Sequence, residues 1–556
     1  MKVESLIRPF QARLRSFVFG SEMDRIAEQM LVGLSGYRKR RADVGDRMVL
    51  KALSLLAEYL DAHGRGAEAA SLLRLTVEEL MADAPDWPSE LAASEDAGAM
   101  RRLMRQRVWC CLAYALALLR ANRLDEAGRI FVAMRTFVEQ RLIAPDFACH
   151  GTLALVYYYE GLWRRNLGKL NEASWDFDAA LDFVHRRYEA KKEKYQVTDA
   201  ERLRREWIYS RVGIARILGF GHGGIALSRG RYVEARAWMV AAQLILAQLG
   251  QEVWRRSLEV YRSSAAVLVQ EVSVTSIAAL EEHAARLREL EAWFGTRNRR
   301  NVFIAGSFAI LAEVRLRQIR KGGAVDLRGL RRAIEARLRE AYLDTAPLSG
   351  TAALRLIECL LRAGDLGRCE KELVRLGAAF GGQEDVMAEC QVLRAEVMLG
   401  LGRVEDARGL LTESVETRPA NRAFRARAWA LLAECELRAG HRVFAQKAME
   451  AARGALEHAQ DGYARMLVEE VGARVGLALP LAGPMPYQDA GQDGRWYDLD
   501  HNLAIAKLNV VEAVHRRHPD YSVERLAAAM GRGPSWLYGF LGKHRELEWV
   551  RGILVR

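Results

Sequence analysis

Apolar and small residues recur along most of the chain at helical spacing, in paired segments broken by one short motif. The motif opens on Gly or Asn and reaches Ala, or once Cys, five residues later. It reads Gly64-Arg-Gly-Ala-Glu-Ala69, Asn122-Arg-Leu-Asp-Glu-Ala127, Gly168-Lys-Leu-Asn-Glu-Ala173 and Gly230-Arg-Tyr-Val-Glu-Ala235. Three later copies run from Gly364 to Cys369, Gly402 to Ala407 and Gly440 to Ala445. Gly or Asn is the residue that ends a helix in the left-handed conformation. A small residue shortly afterwards lets the next helix pack close to the first. The motif therefore predicts a series of helical hairpins. With only 11 prolines in 556 residues, long helices are favoured over a turn-rich β fold. The expected fold class is all-α: an α-solenoid of helical hairpins followed by a small C-terminal helix-turn-helix domain.

These hairpins resemble tetratricopeptide repeats, whose pattern has an aromatic early in the first helix, small residues at its centre, Gly at the turn, then Ala, a bulky residue, Ala and Pro. Trp429, Ala433, Gly440, Ala445, Met449 and Ala452 follow that frame. So do Ala395, Gly402, Ala407, Leu411 and Pro419, and Tyr157, Gly161, Gly168, Ala173, Phe177 and Ala180. The resemblance spans roughly residues 50 to 475 with gaps, and is weakest between Gly250 and Ser349. It implies a superhelix with a concave surface for a protein, a peptide or a small ligand.

Composition narrows the classes. Hydrophobic residues make up 50% and charged residues 28%, a globular balance. Of the 83 basic residues only 12 are Lys, and the net charge is +12, a bias toward anionic partners. Seven scattered Cys with no CxxC pair exclude a disulfide scaffold and a Cys-based zinc site, and fit a reducing cytoplasm. The longest apolar stretch without charge, Ala237–Gln251, is shorter than the ~18 residues a membrane span needs. No membrane association, metal or cofactor is expected.

Gly219-Phe-Gly221-His-Gly-Gly224 is a literal GxGxxG, but it stands inside a helical pattern, where a dinucleotide loop must follow a strand. The pattern predicts close helix packing there. There is no GxxxxGK[ST]. His515 and His518 share a helix face without a third ligand and read as part of a solvated basic face. No nucleophile and base can be paired, so the expectation is a non-enzyme. From Arg297 to Glu340 basic residues outnumber acidic ones twelve to four. Arg297, Arg299, Arg300, Arg315, Arg328, Arg331 and Arg332 are the candidates for a basic patch facing phosphates or an acidic partner. Arginines spread around solvated helices are the equal alternative.

The domain organisation expected is an N-terminal helical segment (1–49), the repeat array (50–478), a Pro/Gly-rich acidic linker (479–501) and a terminal unit (502–556). In that unit Leu503, Leu508, Val511 and Val514 give Asn502–His518 one apolar face. Ser522 is placed to cap a second helix ending at Gly531, and Pro534 to open a third. Val523, Arg525, Ala527, Met530, Gly531, Leu537, Tyr538 and Leu541 match, without a gap, the Fis-type helix-turn-helix of bacterial enhancer-binding activators. This resemblance covers about 45 residues and implies DNA binding and homodimerisation through the first helices. Pro534, Gly539 and Phe540 stand where the family carries basic residues. Arg532, Lys543, His544 and Arg545, with Arg516 and Arg517, remain as candidate phosphate contacts, and Ser535 and Trp536 fall where base edges are read. The expectation is a bacterial DNA-binding transcription regulator with a ligand-binding superhelix. The competing reading is a repeat scaffold whose degenerate helix-turn-helix serves docking.

Overall fold

The computed structural model describes residues 6–7, 9–11, 21–38, 47–62, 65–94, 96–142, 150–195, 199–270, 273–295, 298–321, 325, 327, 329–341, 347–417, 421–456, 459–476, 522–529 and 534–542. These residues are helical almost throughout, and no strand occurs among them. The chain divides into two compact units, 1–484 and 485–556. The linker 479–501 and the first predicted helix of the terminal unit, 502–518, lie outside the described residues.

The turn motif explains the hairpins of the first unit. Asn122, Gly168, Gly230, Gly364, Gly402 and Gly440 all have positive φ, between 58° and 82°. Next to each turn, an N–H reaches back to a carbonyl five residues earlier, as Arg123 does to Leu118 and His441 to Glu436 (2.9 and 2.8 Å). This 6→1 bond satisfies a helix-end carbonyl and fixes the exit direction of the chain. The small residue that follows is fully buried in every copy: Ala69, Ala127, Ala173, Ala235, Cys369, Ala407 and Ala445. Ala97–Arg120 thus pairs with Leu124–Phe137, and His150–Asn166 with Leu170–Tyr195. Pro347–Arg362 pairs with Leu366–Phe380, Glu384–Gly400 with Val404–Thr417, and Arg422–Arg438 with Arg442–Leu456.

Hairpins also continue where the sequence motif fades. Tyr232–Gln248 packs on Glu252–Val269 across Gly250, and Ile277–Phe294 packs on Arg299–Arg320 across Gly295. The N-terminal segment joins the array, since Ile7, Phe10, Ile26 and Met30 share an apolar cluster with its first hairpins. The core runs along the solenoid as three successive clusters, roughly residues 7–225, 232–397 and 392–475. This is the expected layout when each repeat buries its face only against neighbours.

The array coils until its later hairpins stack on its earlier turns. Asn122 Nδ2 donates to Ala379 O (3.1 Å), and Gln383 Nε2 donates to Asn122 Oδ1 (3.4 Å). Further along, Arg422 N donates to Arg229 O, Gln460 N to Gly230 O and Val233 N to Gln460 Oε1. The turn residues that close the early hairpins therefore also form the seam between successive turns of the superhelix.

Two turn glycines separate these roles. At Gly402 (φ +76°) a Cβ would meet nothing within 4 Å, whereas at Gly230 (φ +71°) it would lie 2.5 Å from Asn421 Oδ1. Asn421 Oδ1 caps Arg422–Arg438 by accepting from Ala423 N and Phe424 N. Gly402→Ala should cost only the left-handed strain, about 1–2 kcal/mol. Gly230→Ala should cost about 1 kcal/mol more through the displaced cap. Denaturation midpoints of the two variants measure the difference, and equal losses would contradict the seam.

The six described cysteines are all buried and unbridged; Cys149 lies outside the described residues.

Candidate functional site: a cavity inside the superhelix

The first unit contains a partly open cavity of about 810 Å³, lined by residues from Gln11 to Asn421. That volume falls within the usual range of small-molecule sites. The wall is strongly aromatic, with Trp109, Tyr158, Tyr159, Phe220, Trp254 and Tyr261. Phe220 meets Trp254 and Tyr261 edge-on, with centroids 5.8 and 5.4 Å apart.

The GxGxxG segment shapes this wall. Residues 217–222 form a π-helical turn between Ala200–Arg216 and Gly223–Ser228, with no strand before it. Each glycine makes room for a neighbour. A Cβ on Gly219 would lie 2.5 Å from Leu258, one on Gly221 3.0 Å from the Phe177 ring, and one on Gly224 2.0 Å from Arg165 Nη1. Gly224 thus clears the path by which Arg165 crosses to the π turn and donates to Phe220 O (2.7 Å). Such π turns within helices recur at functional sites.

Arg120, Arg165, Arg187, Arg216 and Arg300 bring five guanidiniums to the lining. Arg187 is neutralised by Glu206 at 2.8 Å. Arg216 lies 4.7 Å from the Trp254 ring and 5.2 Å from the Tyr158 ring. Neither Arg216 nor Arg165 has a carboxylate within ion-pair distance among the described residues, and Nε of each is buried without a hydrogen-bond partner. Two lining side chains beside them are also unsatisfied. Asn166 is 4% exposed with neither amide atom bonded, and Ser210 is 6% exposed with its hydroxyl unbonded.

The acids of the lining are Glu58, which accepts from Trp109 Nε1 (3.0 Å), and two from Glu384–Gly400. Burial pushes the Asp385 carboxyl up to about 7, helped by neighbouring Glu384 and opposed by Arg165. Burial likewise pushes Glu389 up to about 8 against the pull of Arg355, 3.7 Å away. Burial thus weakens the charge of both carboxyls, and five guanidiniums share the lining with these two acids and Glu58, an excess of basic groups.

The described arginines of the candidate basic patch have different surroundings. Arg315 is a correction: it is 3% exposed, and its Nη1 donates to Val267 O and Gln270 O. It gives Val267 O a second donor beside Gln270 N (3.3 Å) and supplies a donor to Gln270 O at the end of Glu252–Val269. Arg331 is exposed but paired with Asp365 and Glu335, Arg299 and Arg332 are exposed, and Arg300 turns to the cavity lining. Arg297 and Arg328 lie outside the described residues. Sequence reasoning did not single out Arg165, Asn166, Ser210, Arg216 or Trp254. The usable signal was an arginine, Arg216, set in the nearly uncharged run from Val212 to Leu227 beside the glycine cluster.

In the second unit, helices Val523–Ala529 and Pro534–Leu541 pack together. Val523, Leu526, Ala527, Leu537 and Leu541 are buried. The Ser522 hydroxyl accepts from Arg525 N (3.5 Å) at the start of the first helix. Tyr538 donates from its exposed hydroxyl to Glu524 across the pair (2.8 Å). Ser535 and Trp536 fall in the first turn of the second helix. Arg516, Arg517, Arg532, Lys543, His544 and Arg545 lie outside the described residues, as do His515 and His518. No cluster of His, Cys, Asp and Glu suited to a metal occurs among the described residues, and none of their helices is long and apolar enough to cross a membrane. Comparison with protein-family models and with curated proteins gives no match.

Proposed function

We propose that the chain is a bacterial DNA-binding transcription regulator in which the helical-repeat superhelix takes a ligand and the C-terminal helices contact DNA. The observation that carries the ligand half is the cavity: buried polar groups without partners, and guanidiniums without carboxylates, beside an aromatic wall. Leaving such groups unsatisfied costs about 1–3 kcal/mol each, which a bound ligand recovers. The DNA half rests on the resemblance of the terminal unit to Fis-type domains, with the apolar positions of that pattern buried in a short helix pair. The same resemblance supports a homodimer, and the reading as a whole places the protein in the cytoplasm.

With Pro534, Gly539 and Phe540 at places usually basic, affinity must come chiefly from phosphate contacts flanking the second described helix. The test is a titration of the full chain against specific and scrambled duplexes across a salt series. Arg532→Ala and Lys543→Ala should each flatten the salt slope by about one unit and weaken all duplexes alike. Ser535→Ala should change sequence preference more than affinity. Absence of salt-dependent binding to any duplex overturns this reading. The substituted positions 534, 539 and 540 favour the second reading, a scaffold that binds partner proteins, which would then take its place.

A further inference from the structure

We propose that the cavity binds a small organic oxyanion, a carboxylate or a phosphate ester, carried on a flat ring. The inference rests on the ligand half of the function above and supplies its chemistry.

Arg216 carries the argument. Its guanidinium lies against Trp254 and Tyr158, at 4.7 and 5.2 Å from the ring centroids. Ring contact engages the faces of a guanidinium and leaves its planar edge of N–H donors for in-plane acceptors. Tyr159 shares a hydrogen bond with the guanidinium and Glu58 acts on it from farther off, but no carboxylate among the described residues lies within ion-pair distance of it, and its Nε has no partner. A guanidinium kept from solvent in this way is matched by a carboxylate or phosphate oxygen pair, the acceptors that fit its fork.

The surroundings select the rest of the molecule. Arg165 is fixed by its bond to Phe220 O and also has an unpartnered Nε. Arg165 adds a second cation to the lining, which favours an anionic guest over a neutral one. Asn166 and Ser210 present unbonded polar atoms to the same cavity and suit hydrogen bonds to ring or linker heteroatoms. Phe220, Trp254 and Tyr261 offer rings to stack on, and aromatic pairs prefer another aromatic at offset or edge geometry. A free inorganic anion would leave these rings and Asn166 unused. Burial raises the Asp385 and Glu389 carboxyls, which weakens their competition for the arginines.

The experiment is calorimetric titration of the full chain with indole-3-carboxylate, indoxyl phosphate, indole-3-carboxamide and inorganic phosphate. At least one of the two ring-bearing anions should bind about tenfold or more tightly than the carboxamide, since a charge-assisted pair is roughly twice as strong as a neutral one. Which of the two binds identifies carboxylate or phosphate as the source. Inorganic phosphate alone should be weaker than either. Arg216→Met should lose about tenfold or more in affinity for the anion while leaving the carboxamide unaffected, and Arg216→Lys should recover part of it. The comparison of acid with carboxamide needs no variant, so misfolding of Arg216→Met leaves the proposal testable. Equal affinity for acid and carboxamide overturns it, as does undiminished anion binding by a folded Arg216→Met. Failure of both ring-bearing anions to bind at millimolar concentration also overturns it. Anion binding without any duplex binding leaves the inference standing and sinks the regulator reading alone.

Discussion

Glu358→Gln should lower the unfolding free energy at pH 7 by about 3–5 kcal/mol, the cost of breaking a buried ion network from one side. Glu358 sits in Pro347–Arg362, 2.6 Å from Arg355, 3.4 Å from Arg427 and 3.6 Å from Arg362. Glu358, Arg355 and Arg427 are buried and Arg362 is partly so, and the arginines stack on aromatic rings. Arg355 lies 4.7 Å from Phe424, and Arg427 lies 4.5 Å and Arg362 3.2 Å from Tyr463. Glu396 holds the far side, accepting from Arg427 (2.9 Å) and from the Tyr463 hydroxyl (2.7 Å). The network spans the junction where the second apolar cluster meets the third. An amide in place of Glu358 would take from three guanidiniums the carboxylate they share, leaving Glu396 on Arg427 and the raised Glu389 carboxyl 3.7 Å from Arg355.

The pH dependence has a definite sign. Burial alone would raise the Glu358 carboxyl, but Arg355, Arg427 and Arg362 overcome it and hold the group well below the usual carboxylate range. A depressed folded value means that the stabilisation is fully present above the unfolded value of 4.5 and is lost as pH falls toward the folded one. The gap between wild type and Glu358→Gln should therefore be widest near neutrality and shrink below pH 4.5. Urea midpoints at neutral and acid pH measure it. A gap that stays constant or widens in acid would mean that Glu358 is not held charged by these arginines.

Phe177→Ala should cost about 3–5 kcal/mol, as for a large aromatic removed from a packed core. Phe177 is fully buried in Leu170–Tyr195 and is held on several sides. Gly161 and Gly221 come so close that a Cβ on either would lie 2.8 or 3.0 Å from its ring, and Tyr158 and His222 flank it at 5.9 and 5.8 Å between centroids. The two glycines exist to admit this ring, which gives a sharper test than the loss itself. In the wild type, Gly161→Ala should destabilise, because its methyl meets the ring. In the Phe177→Ala background the obstruction is gone, and the same change should stabilise, since Ala exceeds Gly by about 1 kcal/mol within a helix. A double-mutant cycle on thermal unfolding reads the reversal of sign. Additive losses would show that Gly161 and Phe177 do not share the space.

The sequence by itself determined the local units. Asn122, Gly168, Gly230, Gly364, Gly402 and Gly440 were identifiable as turns because positive φ is a property of one residue and its immediate hydrogen bonds. The fully buried small residue five positions later followed from the same short motif. Two glycines of the GxGxxG run, Gly219 and Gly221, likewise read correctly as sites of close packing, because the strand required by a dinucleotide loop was missing from the pattern. The motif faded between Gly250 and Ser349, yet hairpins continue there, since the packing of long apolar faces suffices without it.

What only the tertiary structure decided lies between units far apart in the chain. The seam joins Asn122 to Ala379 and Gly230 to Asn421, and its register depends on small rotations summed over many repeats, which no local motif encodes. The same coiling gathers Arg165 and Asn166 from one helix, Ser210 and Arg216 from a second and Trp254 from a third around one cavity. In the sequence Arg315 and Arg300 look alike, two arginines in a basic stretch. One became a buried donor to helix-end carbonyls and the other a cavity residue, because burial is set by what the neighbouring hairpins cover.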